Sequence, residues 1–264
     1  MHSKSTLALK WLQYFLRASN GKGHGIHSPF VYKFVREVLN DKYNYAEYAK
    51  IEAVRKKHLR DRRRLQVNDF GAGSSKRDEP RKISDIAGNA VSDQKFGRLL
   101  FRIANYYRPG CIIEMGSSLG ISTAYLASAD SGSRVITMEG APSIASLAKE
   151  TFDSLGLKNI MQSTGKFDEE LPALIASNPP AGLVFIDGNH RKKPVLEYFE
   201  QFLKKISPAA TIIIHDIHWS AEMEEAWATI LEHPRVKMSI DIFSAGLIFF
   251  RDEFRVKQQF IIRF

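Results

Sequence analysis

Cysteine is nearly absent from this 264-residue chain: Cys111 stands alone, which excludes an internal disulfide and any metal site built from several cysteines. No apolar run approaches the roughly 18 residues that cross a bilayer. Prolines number only ten, and 44% hydrophobic with 25% charged residues is the balance of a globular protein, not of a collagen-like or mostly disordered chain. Internal repeats and low-complexity tracts are missing as well. Lys10 and Arg17 interrupt the apolar stretches that follow Met1, so the opening does not read as a secretory signal. The expectation is a cytoplasmic protein without a membrane partner. The length suits one α/β domain of ordinary size plus an extension.

Negative charge is scarce only in one part of the chain. The net charge is +9; residues 1–95 carry 20 Lys+Arg against 10 Asp+Glu, whereas 96–264 carry 18 against 19. This seam divides a basic helical extension or lid (1–90) from a second domain (91–264). Within the extension, Arg55 to Arg64 packs seven cations into ten residues. No aromatic is interleaved for base stacking, so the run reads as a solvated helix end in preference to an RNA surface.

From residue 96 onward, β-branched runs alternate with helical patterns, the signature of a parallel sheet wrapped by helices. Strands are expected at 111–115, 134–139, 159–163, 182–187, 209–216, 236–242 and 245–251. Helices are expected at about 120–129, 142–155, 168–176, 192–206 and 220–232. Only Phe243 and Ser244 separate the last two strands, with Gly246 just beyond, so a hairpin should make the final strand antiparallel in this seven-stranded, doubly wound sheet. The first third reads as helices: one around Trp11 to Leu16, one from Pro29 to about 39 capped by Ser28, one over 44–64 and one over 92–107. Residues 71–90 read as a loop.

Chemistry concentrates at three places. Ile112-Ile113-Glu114-Met115-Gly116-Ser117-Ser118-Leu119-Gly120-Ile121-Ser122 is a strand that enters a glycine-containing turn and then a helix. Glycines let the backbone approach a ligand, and the helix start offers free N–H groups. The G-x-x-x-G spacing departs from the G-x-G-x-x-G of pyrophosphate binding, and Glu114 would repel a pyrophosphate but attract a cation. Glu139 ends the next strand, where a carboxylate can accept from two ribose hydroxyls; Gly140 follows it. Further on, Phe185-Ile186-Asp187-Gly188-Asn189-His190 and Ile214-His215-Asp216 close two more strands, at the edge where open α/β sheets bind ligands. The reference pKa of histidine, about 6.5, makes His190 the natural base, with Asp187 and Asp216 orienting it or holding a divalent cation.

At these residues the chain resembles the class I S-adenosylmethionine (SAM)-dependent methyltransferases over roughly 90–250, with a Rossmann-like sheet. Within that class it is similar to the catechol and caffeoyl-CoA type of O-methyltransferase, whose segment ahead of the first strand looks like Val91-Ser92-Asp93-Gln94-Lys95-Phe96-Gly97. The resemblance implies SAM as cofactor, with Val91, Ser117 and Ser118 lining its pocket, Ser122 at the methionine carboxylate, Glu139 at the ribose, and Gly165 to Phe167 beside the adenine. Asp187-x-x-His190 followed by His215-Asp216 resembles a macrolide-sugar branch in which aspartates hold magnesium and the histidine is the base. The catechol type has Asp-Asn where this chain has Asp216-Ile217, so a divalent metal at Asp187, His215 and Asp216 stays an open expectation. The strings Asp69 to Ser74 and His24 to Phe30 resemble elements ahead of this domain in a group of bacterial relatives.

The expected function is O-methylation of a small-molecule hydroxyl with His190 as base. A methyltransferase for RNA or a ribosomal component is the first alternative, although Asp187-Gly188-Asn189-His190 lacks the Pro-Pro-aromatic pattern of base N-methyltransferases. The second is a non-catalytic SAM-binding interaction protein. A homodimer is left open.

Overall fold

The computed structural model describes residues 1–67, 80–89 and 93–264. Val91 and the Asp69 to Ser74 string lie outside the described residues. In chain order the elements begin with α1 (Lys4–Arg17), α2 (Pro29–Phe34) with a wider turn over Val35–Leu39, α3 (Ala46–Arg60), β1 (Arg64–Leu65), β2 (Arg81–Lys82), α4 (Ile83–Asn89) and α5 (Gln94–Tyr107). The alternating part follows: β3 (Cys111–Met115), α6 (Ile121–Ala129), β4 (Arg134–Glu139), α7 (Pro142–Ser154), β5 (Ile160–Thr164) and α8 (Phe167–Ser177). It continues through β6 (Ala181–Ile186), α9 (Lys192–Leu203), β7 (Ile206–His215), α10 (Ala221–Glu232), β8 (Met238–Asp241), β9 (Ala245–Phe249) and β10 (Gln258–Ile261). Among the described residues no helix is long and apolar enough to cross a membrane.

Side-chain caps fix several helix starts. Ser3, Ser28, Asp93 and Ser220 each accept from the backbone N–H three residues on, satisfying a donor that the first turn would leave open. Pro29 and Pro142 sit at the start of α2 and α7, where a missing N–H does no harm.

The chain forms two compact units, residues 1–41 with 180–264 and residues 42–179. In the second unit, β3, β4 and β5 pair in parallel, with Glu114 opposite Thr137 and Glu139 opposite Thr164. β3 is buried along its whole length, which is why four of its five residues are apolar. In the first unit the order is β10-β8-β9-β7-β6. Here β6 and β7 are parallel, bringing Ile186 opposite Ile214, so Asp187 and His215 leave neighbouring strands side by side. β9 runs antiparallel to both β7 and β8, as the two-residue separation of the last two expected strands requires.

The strands that alternate with helices are mostly parallel, as in an α/β fold, and number five in the first unit and three in the second, eight against the seven expected. The additional strand is β10, four residues that pair in parallel with β8 at the edge. Its charged approach, Arg251 to Lys257, hides a strand signal only four residues long. A second difference lies in the stretch expected as loop, where residues 83–89 are helical. Ile83, Ile86 and Ala87 supply an i, i+3, i+4 stripe that packs with Val67, Leu119, Ala141, Ile144 and Leu147. α3 stops at Arg60, short of the expected 64, because Asp61 is extended and the chain then pairs as β1 with β2.

Candidate active site

The turn after β3 is built from alternating left-handed residues: Gly116 has φ 97°, Ser118 φ 45° and Gly120 φ 80°. Gly116 and Ser117 both donate their N–H to Met138 O, at 2.9 and 3.1 Å, which pins the turn to the end of β4. Glu139 completes the clamp. One carboxylate oxygen accepts from Ser118 N at 2.9 Å and the other from Ala141 N at 3.0 Å, while Gly165 N donates to its carbonyl at 3.0 Å. Glu114 is fully buried beneath the turn, where one oxygen accepts from the hydroxyls of Thr123 and Thr137. Its bonds run to α6 and β4, so it organises the turn from below.

A cofactor cradle needs unspent polar groups, and the turn has them. The Oγ atoms of Ser117 and Ser118 are buried with no hydrogen-bond partner among the described residues. Gly120 caps α6 with backbone alone, with no side-chain cap hydrogen bond to that first turn among the described residues. These donors suit the carboxylate of an amino-acid moiety. Gly120 itself answers to packing: a Cβ there would stand 2.6 Å from Phe152 Cε1. Ser122 is buried in the first turn of α6; Gly140 is half-buried just after Glu139, and Gly165 and Phe167 are half-buried between β5 and the start of α8.

Support for the turn comes from residues the sequence left as part of a basic helix. Tyr125 of α6 donates to Glu52 of α3 at 2.8 Å, and Arg55 Nε donates to the other Glu52 oxygen at 2.9 Å. Burial, reinforced by Glu52, keeps the Tyr125 hydroxyl protonated. Thr151 donates to Leu119 O at 2.9 Å, inside the turn, so its oxygen accepts from His58 Nε2–H at 2.8 Å. Burial holds His58 below its ordinary pKa, in keeping with a neutral ring in that chain. The signal was available: Tyr48, Ile51, Glu52 and His58 are the buried residues of α3 and recur at helical spacing. Of the cationic run, Lys56, Lys57, Arg60, Arg62, Arg63 and Arg64 are exposed, whereas Arg55 and His58 turn inward.

In the first unit the second cluster gathers on Asp187. His215 Nδ1–H donates to Asp187 Oδ1 at 2.9 Å, and His190 Nε2 lies 3.6 Å from the same oxygen. Burial pushes the Asp187 carboxyl up, but the charge and hydrogen bond of His215, with His190 adding to them, outweigh burial and hold it below the usual range. Asn189 and Asp216 adopt φ of 60° and 57°, conformations that short polar side chains tolerate better than most. Asn189 Nδ2 donates to Tyr198 OH at 3.1 Å, which ties the turn bearing His190 to α9. The His190 ring lies 5.5 Å from that of Trp219.

Asp187, His190, His215 and Asp216 therefore come together as expected in space. For the metal left open at Asp187, His215 and Asp216, among the described residues no three His, Cys, Asp or Glu side chains form a ligand set. His215 spends Nδ1 on Asp187, and Asp216 Oδ2 stands 3.8 Å from that nitrogen.

Sequence reading also overlooked a cluster just beyond. His218 Nε2 bonds Asp241 at 2.8 Å and its Nδ1 bonds Glu224 at 3.2 Å, while Lys10 and His2 reach the other Glu224 oxygen at 2.8 and 3.4 Å. Burial alone would lower the His218 pKa; the bonds and charges of Asp241 and Glu224 outweigh it and raise it.

Comparison with known proteins bears on the fold. Residues 113–217 match a family model described as a methyltransferase domain. No curated protein sequence matches the chain. Among solved structures, an SAH-bound methyltransferase, PaMTH1, of Podospora anserina is 15% identical, with a TM-score of 0.60, over 85% of this chain and 97% of that one. An O-methyltransferase of Bacillus cereus in complex with SAH is 19% identical over 83% and 96%, with a TM-score of 0.57. The O-methyltransferase TomG of Streptomyces achromogenes, involved in tomaymycin synthesis and solved with SAM, is 22% identical over 62% and 82%, with a TM-score of 0.54.

Proposed function

We propose that this protein, which carries a methyltransferase domain on a class I O-methyltransferase-like fold, transfers a methyl group from SAM to a hydroxyl of a small molecule. The observation that carries the cofactor assignment is the turn at 116–120, with two buried serine hydroxyls unspent and Glu139 presenting a carboxylate beside them. Glu139 takes the ribose hydroxyls, Ser117, Ser118 and Ser122 with the first turn of α6 take the amino-acid end, and Gly165 to Phe167 flank the base. The methyl of bound SAM is electrophilic because it is attached to a sulfonium. In residues 42–89, α3 and α4 brace the turn through Glu52, His58 and Ile83. Residues 91–264 are the methyltransferase domain proper, and 1–90 the added region.

The acceptor chemistry falls to Asp187 and its histidines. As the acceptor oxygen forms its new bond to carbon and the carbon–sulfur bond breaks, the hydroxyl proton must leave. His190 takes it at a ring nitrogen, and Asp187, whose carboxyl is held below the usual range, lies 3.6 Å from its Nε2. His215 occupies the same carboxylate and orients it. Neighbours of this fold include enzymes named as O-methyltransferases, which supports oxygen as the acceptor atom.

The test is His190→Ala. Turnover on an identified acceptor should fall by about 10²–10⁴, the usual range for loss of a general base, while affinity for SAM stays at the wild-type value. Unchanged turnover would return His190 to a purely structural role.

A further inference from the structure

Helix α1 turns its apolar side away from the protein. Only Tyr14 of its 14 residues is buried, while Leu9, Trp11, Leu12, Phe15 and Leu16 remain between 38% and 71% exposed. At 3.6 residues per turn these five fall within about 160° of arc, facing away from Tyr14. Trp11 and Phe15 stack with ring centres 5.3 Å apart, and the Arg263 guanidinium lies 4.0 Å over Phe15.

The helix is held firmly in this pose. Tyr14 OH donates to Ile262 O, Arg263 Nε donates to Phe15 O at 2.9 Å, and Lys10 pairs with Glu224 at 2.8 Å. Ser19 N, two residues past the helix, bonds Ile261 O at 2.8 Å. A fixed apolar face of this kind marks an interaction surface.

Charge selects its occupant. Residues 1–36 contain Lys4, Lys10, Arg17, Lys22, Lys33 and Arg36 and no Asp or Glu. Lys4, Arg17 and Lys22 are exposed. A second copy docking through the same face would bring those cations against each other, whereas an anionic lipid surface would neutralise them. Leu, Trp and Phe on one side of a helix with Lys and Arg around them is also the pattern of helices lying in the headgroup boundary. We infer that α1 seats the protein on an anionic lipid surface. Leu9, Leu12 and Leu16 enter the acyl boundary, Lys4, which falls within the same arc, reaches the headgroups, and Lys22 joins it from the turn beyond the helix. The helix lies on the bilayer without crossing it.

Sedimentation of the full chain with vesicles tests this. Vesicles containing phosphatidylglycerol should carry the protein down at about 0.1 M salt and release it as salt rises, while vesicles of phosphatidylcholine alone should not. Lys4→Gln and Lys22→Gln should each lower partitioning about fivefold. Leu12→Glu combined with Leu16→Glu, at exposed positions, should abolish it while leaving the melting temperature unchanged. Equal partitioning onto neutral and anionic vesicles, or none onto either, would overturn the inference. So would a dimer in light scattering that the double substitution dissociates while wild-type protein ignores vesicles; the face would then belong to a second copy.

Discussion

Replacing Glu139 with Gln keeps the side-chain volume and removes the charge that joins the turn to β4. In the native chain its two oxygens accept from Ser118 N at 2.9 Å and Ala141 N at 3.0 Å. Glutamine has one acceptor oxygen and one NH₂ group, so one of those two N–H groups must face another donor. A hydrogen bond to a charged group is worth about 1.5–3 kcal/mol, and an added ligand that uses the same carboxylate loses the charge as well. Affinity for SAM should therefore drop roughly 10- to 150-fold. Calorimetric titration with SAM and its demethylated product, with NAD as a control, measures this directly. Binding of SAM within about twofold of wild type would refute the placement of the ribose on Glu139, and tight NAD binding would refute the cofactor class.

Two further substitutions probe the frame. Gly120→Ala puts a Cβ 2.6 Å from Phe152 at φ 80° and should destabilise the protein by about 1–3 kcal/mol, read as a lower denaturation midpoint in urea; an unchanged midpoint would mean the turn is not packed as described. His218 has a folded-state pKa above its ordinary value, so its contribution to stability is complete below about pH 6.5 and is lost as pH rises through the folded value. His218→Gln should flatten that part of the stability profile between neutral and alkaline pH, and an unaltered profile would show that the bonds to Asp241 and Glu224 do not control it.

Much of the site was readable because its local chemistry is local in sequence. Ile112 to Ser122 announces a buried strand, a glycine turn and a helix within eleven residues, and β3 and α6 lie where that pattern places them. Asp187 and His215 were readable as strand ends, but their bond depends on the parallel register of β6 with β7, which no single stretch displays. The supports were less visible for the same reason. His58 looks like one more cation until Thr151 and Leu119 arrive from elsewhere. α4 is seven residues long, and its helix is stabilised by burying Ile83 and Ile86 in a cluster assembled from distant segments. β10 is an edge strand with one neighbour, too short to show a period.

The central claim is methyl transfer to oxygen, and label tracing tests it most directly. Purified protein incubated with methyl-labelled SAM and a pool of catechols, other phenols and hydroxylated sugars should yield a labelled O-methyl ether, in a reaction that His190→Ala suppresses. Label that reaches only RNA or protein, or no fraction at all despite bound SAM, would contradict the account.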